Sequence, residues 1–407
     1  MSTRFCVAVS LCLTALMTPG RLRAQTPPST PPTAASTPSE AQTPAGPNAP
    51  AAQADDEETP EGFHWSGTAE FYYQYNLNNP SNGLTAFRYY DQAHNLLSVQ
   101  NLLLDSRYRY GRVSGHLQLQ LGVYPETFYA PARSLELDLL WRLIQEVTLR
   151  YRTGIGRGLG VEAGIYVAPY SIEDMAVWQN WNWSYSNIFA AAPFQMAGAR
   201  VTYPVGAHGV VSGGVYNGWD QINTDETPYK TFLGAFEWED GDNFFTVQYS
   251  AGVERWRGAA EGARPRHTLN AYGQWQLSDR LALRGDLFAG YEPTLLGDAG
   301  FAGLALYGRY RLSSWLYTAL RVDALHEVIP EGAEYIFLES ANTVASGTVT
   351  LDARPNEHVS FKLEFRHDES DGDMFFRGDV ARDMMTMSWV PNARRQSTLL
   401  LGFSTWF

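Results

Sequence analysis

Charged side chains recur in this chain at alternate positions: Arg107 and Arg109, Arg150 and Arg152, Arg284 and Asp286, then Lys362, Glu364 and Arg366, with Arg200 placed alike in its own segment. A spacing of two puts such residues on one face of an extended strand. Charges arrayed this way order water, ions and one another; they do not make or break bonds. A second polar set, Glu173, Asp174, Gln179, Asn180 and Asn182, lies in a segment crowded with Trp178, Trp181, Trp183, Tyr185 and Phe189. Neither set is equipped for catalysis. A hydrolase needs a nucleophile and a base held together, but the eight histidines are scattered and the nearest approach is His94 to Ser98. The sequence has no glycine-rich phosphate loop, no metal-spaced His/Cys set and no basic nucleic-acid patch. The expectation is therefore no catalytic residue, no cofactor, no metal site and no nucleic-acid partner. Loop carboxylates such as Asp220, Asp225 and Glu226, or Asp368, Asp371 and Asp373, could meet calcium, and are read as solvated charge.

The segments that carry these charges alternate. In Phe63, Trp65, Gly67, Ala69, Phe71, Tyr73, Tyr75 and Leu77 one face is apolar, and His64, Ser66, Thr68, Glu70, Tyr72, Gln74 and Asn76 make the other. Aromatic residues crowd both ends of that stretch and small ones its middle, as expected if rings sit at two headgroup levels. Val359, Phe361, Leu363 and Phe365 oppose Ser360, Lys362, Glu364 and Arg366 in the same way. Such alternation hides a membrane-facing surface inside a mildly hydrophilic average. A soluble β-sandwich reverses the two faces, and periodicity by itself leaves that open.

Connections decide the strand number. Long ones run near residues 78–95, 124–137, 169–193, 217–229, 254–267, 292–300, 327–342 and 368–394. Short ones fall near 111, 153–156, 204–207, 239–243, 278–279, 313 and 354–356. Eight long and seven short connections predict sixteen antiparallel strands with both ends on one side, the pattern of a transmembrane β-barrel with long outside loops and short periplasmic turns. The fourth strand (141–152) and the thirteenth (315–325) are the least marked, leaving fourteen or eighteen strands open. A barrel of this size is too wide to be filled by wall side chains alone.

The ends of the chain agree. Residues 1–24 read as a secretory signal peptide: a basic start, an apolar run too short to span a bilayer, then a polar stretch. Both cysteines, Cys6 and Cys12, fall within it, so the remainder has no disulfide. Residues 25–60, rich in Pro, Ala, Thr and Ser, read as a disordered periplasmic tether, and residues 61–407 as the barrel. The last strand ends on Phe403, Trp406 and Phe407, which resemble the C-terminal assembly signal of bacterial outer-membrane barrels.

Three segments resemble the OmpL-like putative β-barrel porin-2 family: residues 67–76 (GTAEFYYQYN), residues 182–186 (NWSYS) and residues 217–220 (NGWD). The chain departs from the family's asparagine run after that Trp, with Asp220, Gln221, Ile222, Asn223, Thr224 and Asp225 instead. The resemblance implies a porin in the bacterial outer membrane that passes small hydrophilic solutes or ions. Its expected partners are outer-membrane lipid, the barrel assembly machinery and, as an open question, copies of itself. In general porins the third loop folds inward, so by resemblance Glu173, Asp174, Gln179, Asn180 and Asn182 are constriction candidates with the neighbouring rings packed on the inner wall. A loop standing outside the barrel is the other reading. Net charge is −13, but selectivity follows the charges nearest a constriction. Arg107, Arg109, Arg150, Arg152, Arg200, Arg284, Asp286, Lys362, Glu364 and Arg366 are the lumen candidates, and an anion-tolerant, poorly selective pore is expected. The alternative is a non-conducting barrel that serves as adhesin, receptor or structural protein through its outside loops.

Overall fold

The computed structural model describes residues 61–128, 141–222 and 228–407. The leader and tether expected over residues 1–60 lie outside the described residues. Sixteen strands follow one another: β1 (Gly62–Asn76), β2 (Leu96–Tyr110), β3 (Val113–Gly122), β4 (Ile144–Arg152), β5 (Gly160–Val167), β6 (Gln195–Val205), β7 (Gly209–Tyr216), β8 (Thr231–Asp240), β9 (Asn243–Gly252), β10 (Arg266–Ser278), β11 (Leu281–Pro293), β12 (Asp298–Arg311), β13 (Leu316–Val328), β14 (Thr343–Asn356), β15 (Val359–Ser370) and β16 (Arg395–Trp406). Each pairs antiparallel with its neighbours, and β16 returns to β1 to close the barrel. Closure leaves no sheet edge, the condition for a β structure to sit in hydrocarbon. Phe407 completes the seam: its N–H donates to the Gly67 carbonyl at 3.1 Å, and the Gly67 N–H donates back at 3.2 Å.

The alternation produces two faces as expected. Along β15, Ser360, Lys362, Glu364, Arg366 and Asp368 point inward and are buried, while Phe361, Leu363 and Phe365 face out. Exposed Phe63 and Trp65 mark the short-turn end of β1, and Tyr73 and Tyr75 its long-loop end.

Eight loops at one end of the barrel are numbered here in chain order; loop 1 covers 77–95, loop 2 123–143, loop 3 168–194, loop 4 217–230, loop 7 329–342 and loop 8 371–394. Loop 2 opens with a short helix, α1 (Val123–Phe128), and loop 3 holds a 3-10 turn at Asn187–Ala191. Several boundaries differ from the sequence reading: β13 runs on to Val328, and β14 runs through the connection expected at 354–356 to turn at 357–358. Loop 6 shrinks to residues 294–297, because β11 and β12 stay in register to Pro293 and Asp298, and Thr294 closes a tight turn onto the Gly297 carbonyl. The second short connection runs on to Leu159, β4 starts at Ile144 rather than at Trp141, and β15 continues through Asp368 to Ser370.

The wall is uneven. β12 and β14 have 14 residues each, while β5 and β7 have eight. The inward residues of β9 and of β11 to β16 are mostly buried, whereas many on β3, β4, β7 and β8 are half-buried. Something inside covers one side of the barrel more than the other.

Loop 3 across the lumen, the candidate functional site

That cover is loop 3, which turns inward and is itself almost wholly buried. Its backbone polar groups need partners there, and the inward charges of the wall supply them. Glu364 accepts the N–H groups of Trp183 (2.6 Å) and Ser184 (3.1 Å). Asp323 accepts the N–H of Asn187 at 2.7 Å, and Asp286 that of Ile172 at 3.1 Å. Cations take the carbonyls: Lys362 donates to Val177 and Asn180, both at 2.5 Å, Arg321 to Ser184 and Tyr185, and Arg366 to Tyr185.

Strand register explains how the wall meets the loop so evenly. Arg284, Tyr307, Arg321, Thr348 and Arg366 are successive cross-strand partners, and so are Asp286, Ala305, Asp323, Ser346 and Asp368 two residues farther along. Three Arg-x-Asp repeats on β11, β13 and β15 thus become a basic row and an acidic row. The loop lies against both, its carbonyls toward the cations and its N–H groups toward the carboxylates.

Side chains fit the same surface. Trp183 lies where a Cβ on Gly402 would come within 2.0 Å of its ring, and Ile188 occupies the corresponding space at Gly303. Trp178 stacks on Trp406 at 4.2 Å, and the Arg284 guanidinium sits 4.3 Å over Trp181. From outside, Tyr90 of loop 1 packs 3.8 Å from the Tyr124 ring of α1, whose hydroxyl meets that of Tyr185 at 2.5 Å. Arg88 pairs with Asp91 (3.2 Å) and Asp368 (3.7 Å), tying loop 1 to the acidic row.

The constriction candidates divide within this arrangement. Glu173, Asn180 and Asn182 are buried: Glu173 pairs with Arg321 at 3.1 Å, Asn182 donates to Thr350 at 2.7 Å, and Asn180 braces the Asp174 backbone. Asp174 and Gln179 stay half-buried. Burial raises the Glu173 carboxyl despite Arg321, and pushes Asp174 up to about 6, with Glu146 and Asp105 acting on it as like charges. In loop 4 burial likewise lifts Asp220 to about 7 while it accepts the N–H groups of Phe194 and Gln195.

The ten lumen candidates separate as sharply. Arg284, Asp286, Lys362, Glu364 and Arg366 lie buried beneath loop 3. Arg107, Arg109, Arg150, Arg152 and Arg200 lie on the opposite, half-buried wall. There Arg107 pairs with Asp105 (3.3 Å) and Arg200 with Glu162 (2.8 Å), and His116 bridges Asp105 at 2.8 Å and Glu146 at 3.0 Å. At the end of the chain Phe403 lies outward between Phe71 and Phe361, while Trp406 points inward to its stack on Trp178. Sequence reasoning did not single out Arg88, Tyr90 or Tyr124, and placed Asp368 in a loop. The Arg-x-Asp repeat was the available signal for Asp368.

Inward of the loops, two apolar clusters fill the long-loop half of the lumen. One joins Tyr166, Met196, Tyr216 and Leu233 on one side to Phe288, Phe301, Leu325 and Val344 on the other. The second gathers Tyr72, Tyr90, Tyr124, Trp183, Tyr185 and Phe189.

The family model for putative β-barrel porin-2, OmpL-like, matches residues 62–402. No curated protein matches the chain. Among solved structures it resembles an anion-selective porin from Comamonas acidovorans (TM-score 0.57, 10% identity, covering 85% of this chain and 99% of that one). It also resembles the outer-membrane channel DcaP of Acinetobacter baumannii (0.51, 12%, 84% and 96%) and the trimer form of OmpT from Vibrio cholerae (0.52, 7%, 85% and 99%). At these identities the likeness is one of fold. With a match over most of its length and a closed sixteen-stranded barrel, the chain belongs to the OmpL-like putative β-barrel porin-2 family, as an outer-membrane channel for small solutes.

Proposed function

We propose that solutes pass beside loop 3, along the wall formed by β2 to β8. The observation that carries this reading is the asymmetry of burial among the charged side chains: Arg284, Asp286, Lys362, Glu364 and Arg366 beneath loop 3 are buried, whereas Arg107, Arg109, His116, Glu146, Arg150, Arg152 and Arg200 on the facing wall remain half-buried. The narrowest passage then lies between Asp174 of loop 3 and the Asp105, His116 and Glu146 cluster, with Gln179 as a further constriction residue. Glu173, Asn180 and Asn182 fix the loop. Arg107, Arg109, Arg150, Arg152 and Arg200 on the facing wall offset the carboxylates Asp174, Asp105 and Glu146 at that passage, and this mixture of signs supports an anion-tolerant and poorly selective path with no enzymatic step. Export by the leader, a periplasmic tether over residues 25–60, insertion by the barrel assembly machinery acting on Phe403, Trp406 and Phe407, and assembly of copies in the membrane belong to the same reading. The test is ion conductance of the folded protein in planar bilayers under a salt gradient. Discrete steps are expected, with a conductance that changes when residues 175–182 are deleted.

A second reading has its own observation. The two apolar clusters reach across the long-loop half of the barrel, as they would in a receptor or adhesin closed by its loops. Inserted barrels that give no steps at any voltage would overturn the first reading and leave this one standing.

A further inference from the structure

Below loop 3, toward the periplasmic end, lie four cations that the loop's anchoring does not neutralise. Most inward arginines of the barrel face a carboxylate: Arg321 meets Glu173 and Asp323, Arg366 meets Asp368, and Arg255 and Arg266 share Glu292. Arg284 and Arg309 do not. Among the described residues no carboxylate lies within ion-pair distance of either; Arg284 donates to Gln274 at 2.8 Å, and Arg309 rests on the Tyr317 ring at 4.0 Å. Lys362 is held by two backbone carbonyls, and Arg354 pairs with Asp352 at 2.8 Å. Register explains the grouping: Arg284 and Arg309 lie on the adjacent, paired strands β11 and β12, and Asp352 is directly opposite Lys362. Arg284, Arg309 and Arg354 act on one another as like charges. Asp352 is the one carboxylate ion-paired within the group; Glu364 and Glu70 act on Lys362, and Glu173, already paired with Arg321, acts on Arg284, so the unpaired charge is concentrated on Arg309 and on Arg284, which is only 7% exposed.

Buried or half-buried cations are normally paired, because removing them from water without a counter-charge is costly. The missing partner is thus an anion from outside the chain. The surroundings also define its body. Arg309, Arg354, Tyr317, Trp178 and Trp406 are all half-buried, so guanidinium groups and ring faces are presented together. Guanidinium planes match a carboxylate's two oxygens, and rings match a flat apolar face.

We infer that the periplasmic vestibule beneath loop 3 is a binding site for a small carboxylate anion with a flat body, in which Arg309 takes the carboxylate, the buried Arg284 adds its charge from behind, and Tyr317 and the Trp178–Trp406 pair take the flat face. As a subsite of a solute path this rests on the channel reading, but binding itself can be measured without conduction.

The experiment is calorimetric titration of the folded, full-length protein in detergent with benzoate, with acetate supplying the charge alone and benzyl alcohol the ring alone. Benzoate is expected to bind saturably. Arg309→Gln should weaken it about ten- to a hundred-fold, the scale of one charge-assisted hydrogen-bonding partner. Tyr317→Leu should weaken benzoate while leaving acetate unchanged. Arg382→Gln, which removes an arginine stacked on Trp389 in loop 8, should change neither. Unsaturable benzoate binding, or equal affinity in Arg309→Gln and the unaltered protein, overturns the site; acetate binding as tightly as benzoate overturns the role of the rings. Channel steps without benzoate binding would refute this inference alone, and benzoate binding without steps would refute the channel reading alone.

Discussion

Arg321→Met tests whether charged rows hold loop 3 in place. Arg321 is fully buried and meets Asp323 at 2.9 Å, Glu173 at 3.1 Å, Thr348 at 3.2 Å and the carbonyls of Ser184 and Tyr185. Methionine fills much of the same volume but leaves two buried carboxylates without their cation, a change that costs about 3–5 kcal/mol. Each carboxylate keeps other donors: Ser186 for Glu173, and Asn187 and Ser346 for Asp323. The cost should therefore fall near the lower bound, about two decades in the opening equilibrium of the loop. The barrel itself, closed by sixteen paired strands, should remain folded. Loop 3 offers chymotrypsin several rings between Trp178 and Phe189, so cleavage in the folded barrel reports its opening, and heat-modifiable electrophoretic mobility checks the fold. Cleavage should rise about a hundred-fold in Arg321→Met and fall part of the way back in Arg321→Met/Glu173→Gln, where one stranded charge is gone. Wild-type resistance in a correctly folded Arg321→Met barrel would refute the argument that these charges seat the loop.

Gly402→Ala should displace Trp183, since the new Cβ would lie 2.0 Å from its ring; overpacking of this kind costs about 1–3 kcal/mol, and near-ultraviolet circular dichroism should lose the signal of an ordered indole. Loop 4 should loosen with rising pH. Asp220 is lifted to about 7 by burial, so its contribution to stability is complete below the ordinary carboxyl value of about 4 and is lost as pH rises through about 7. Hydrogen exchange of residues 217–222, corrected for intrinsic chemistry, should be slower at pH 5 than at pH 8, and Asp220→Asn should flatten the difference. Deleting Phe407, which closes the seam with Gly67, should reduce the yield of assembled barrel in cells, whereas Trp406→Leu should spare assembly and free Trp178, read as faster chymotryptic cleavage there.

Much of this fold was legible because a transmembrane strand declares itself locally: alternation fixes its two faces, and turn residues fix its ends. Gly111 and the Ser278–Asp279 turn marked reversals where the structure has them. Where the prediction slipped, pairing overrode composition. Loop 6 looked long because Glu292, Pro293 and Asp298 are poor strand formers, yet ladder partners carry β11 and β12 to a tight turn. Asp368 looked like loop because it opens an acidic, glycine-containing stretch, yet it pairs opposite Ser346 and Gln396 in β15.

Parity could say that Arg284, Asp286, Lys362, Glu364 and Arg366 point inward, as Arg107, Arg150 and Arg200 do, but it could not say which of them meet water. That depends on where a loop from one side of the barrel comes to rest, a contact between residues more than a hundred positions apart. The rule that decides it is nevertheless simple. A loop entering the lumen brings unpaired N–H and carbonyl groups with it, and each needs a partner there. A wall with both signs at a spacing of two satisfies both kinds, and β11, β13 and β15 provide it through Asp286, Arg321/Asp323 and Lys362/Glu364/Arg366. The facing strands have nothing so regular: Asp105 and Arg107 on β2 are one such pair with no aligned repeat beside them, Glu146 on β4 stands four residues from Arg150, and β7 has no charged residue. Loop 3 consequently rests on the wall of β11, β13 and β15, and in the path we propose the opposite wall keeps the charges that solutes meet.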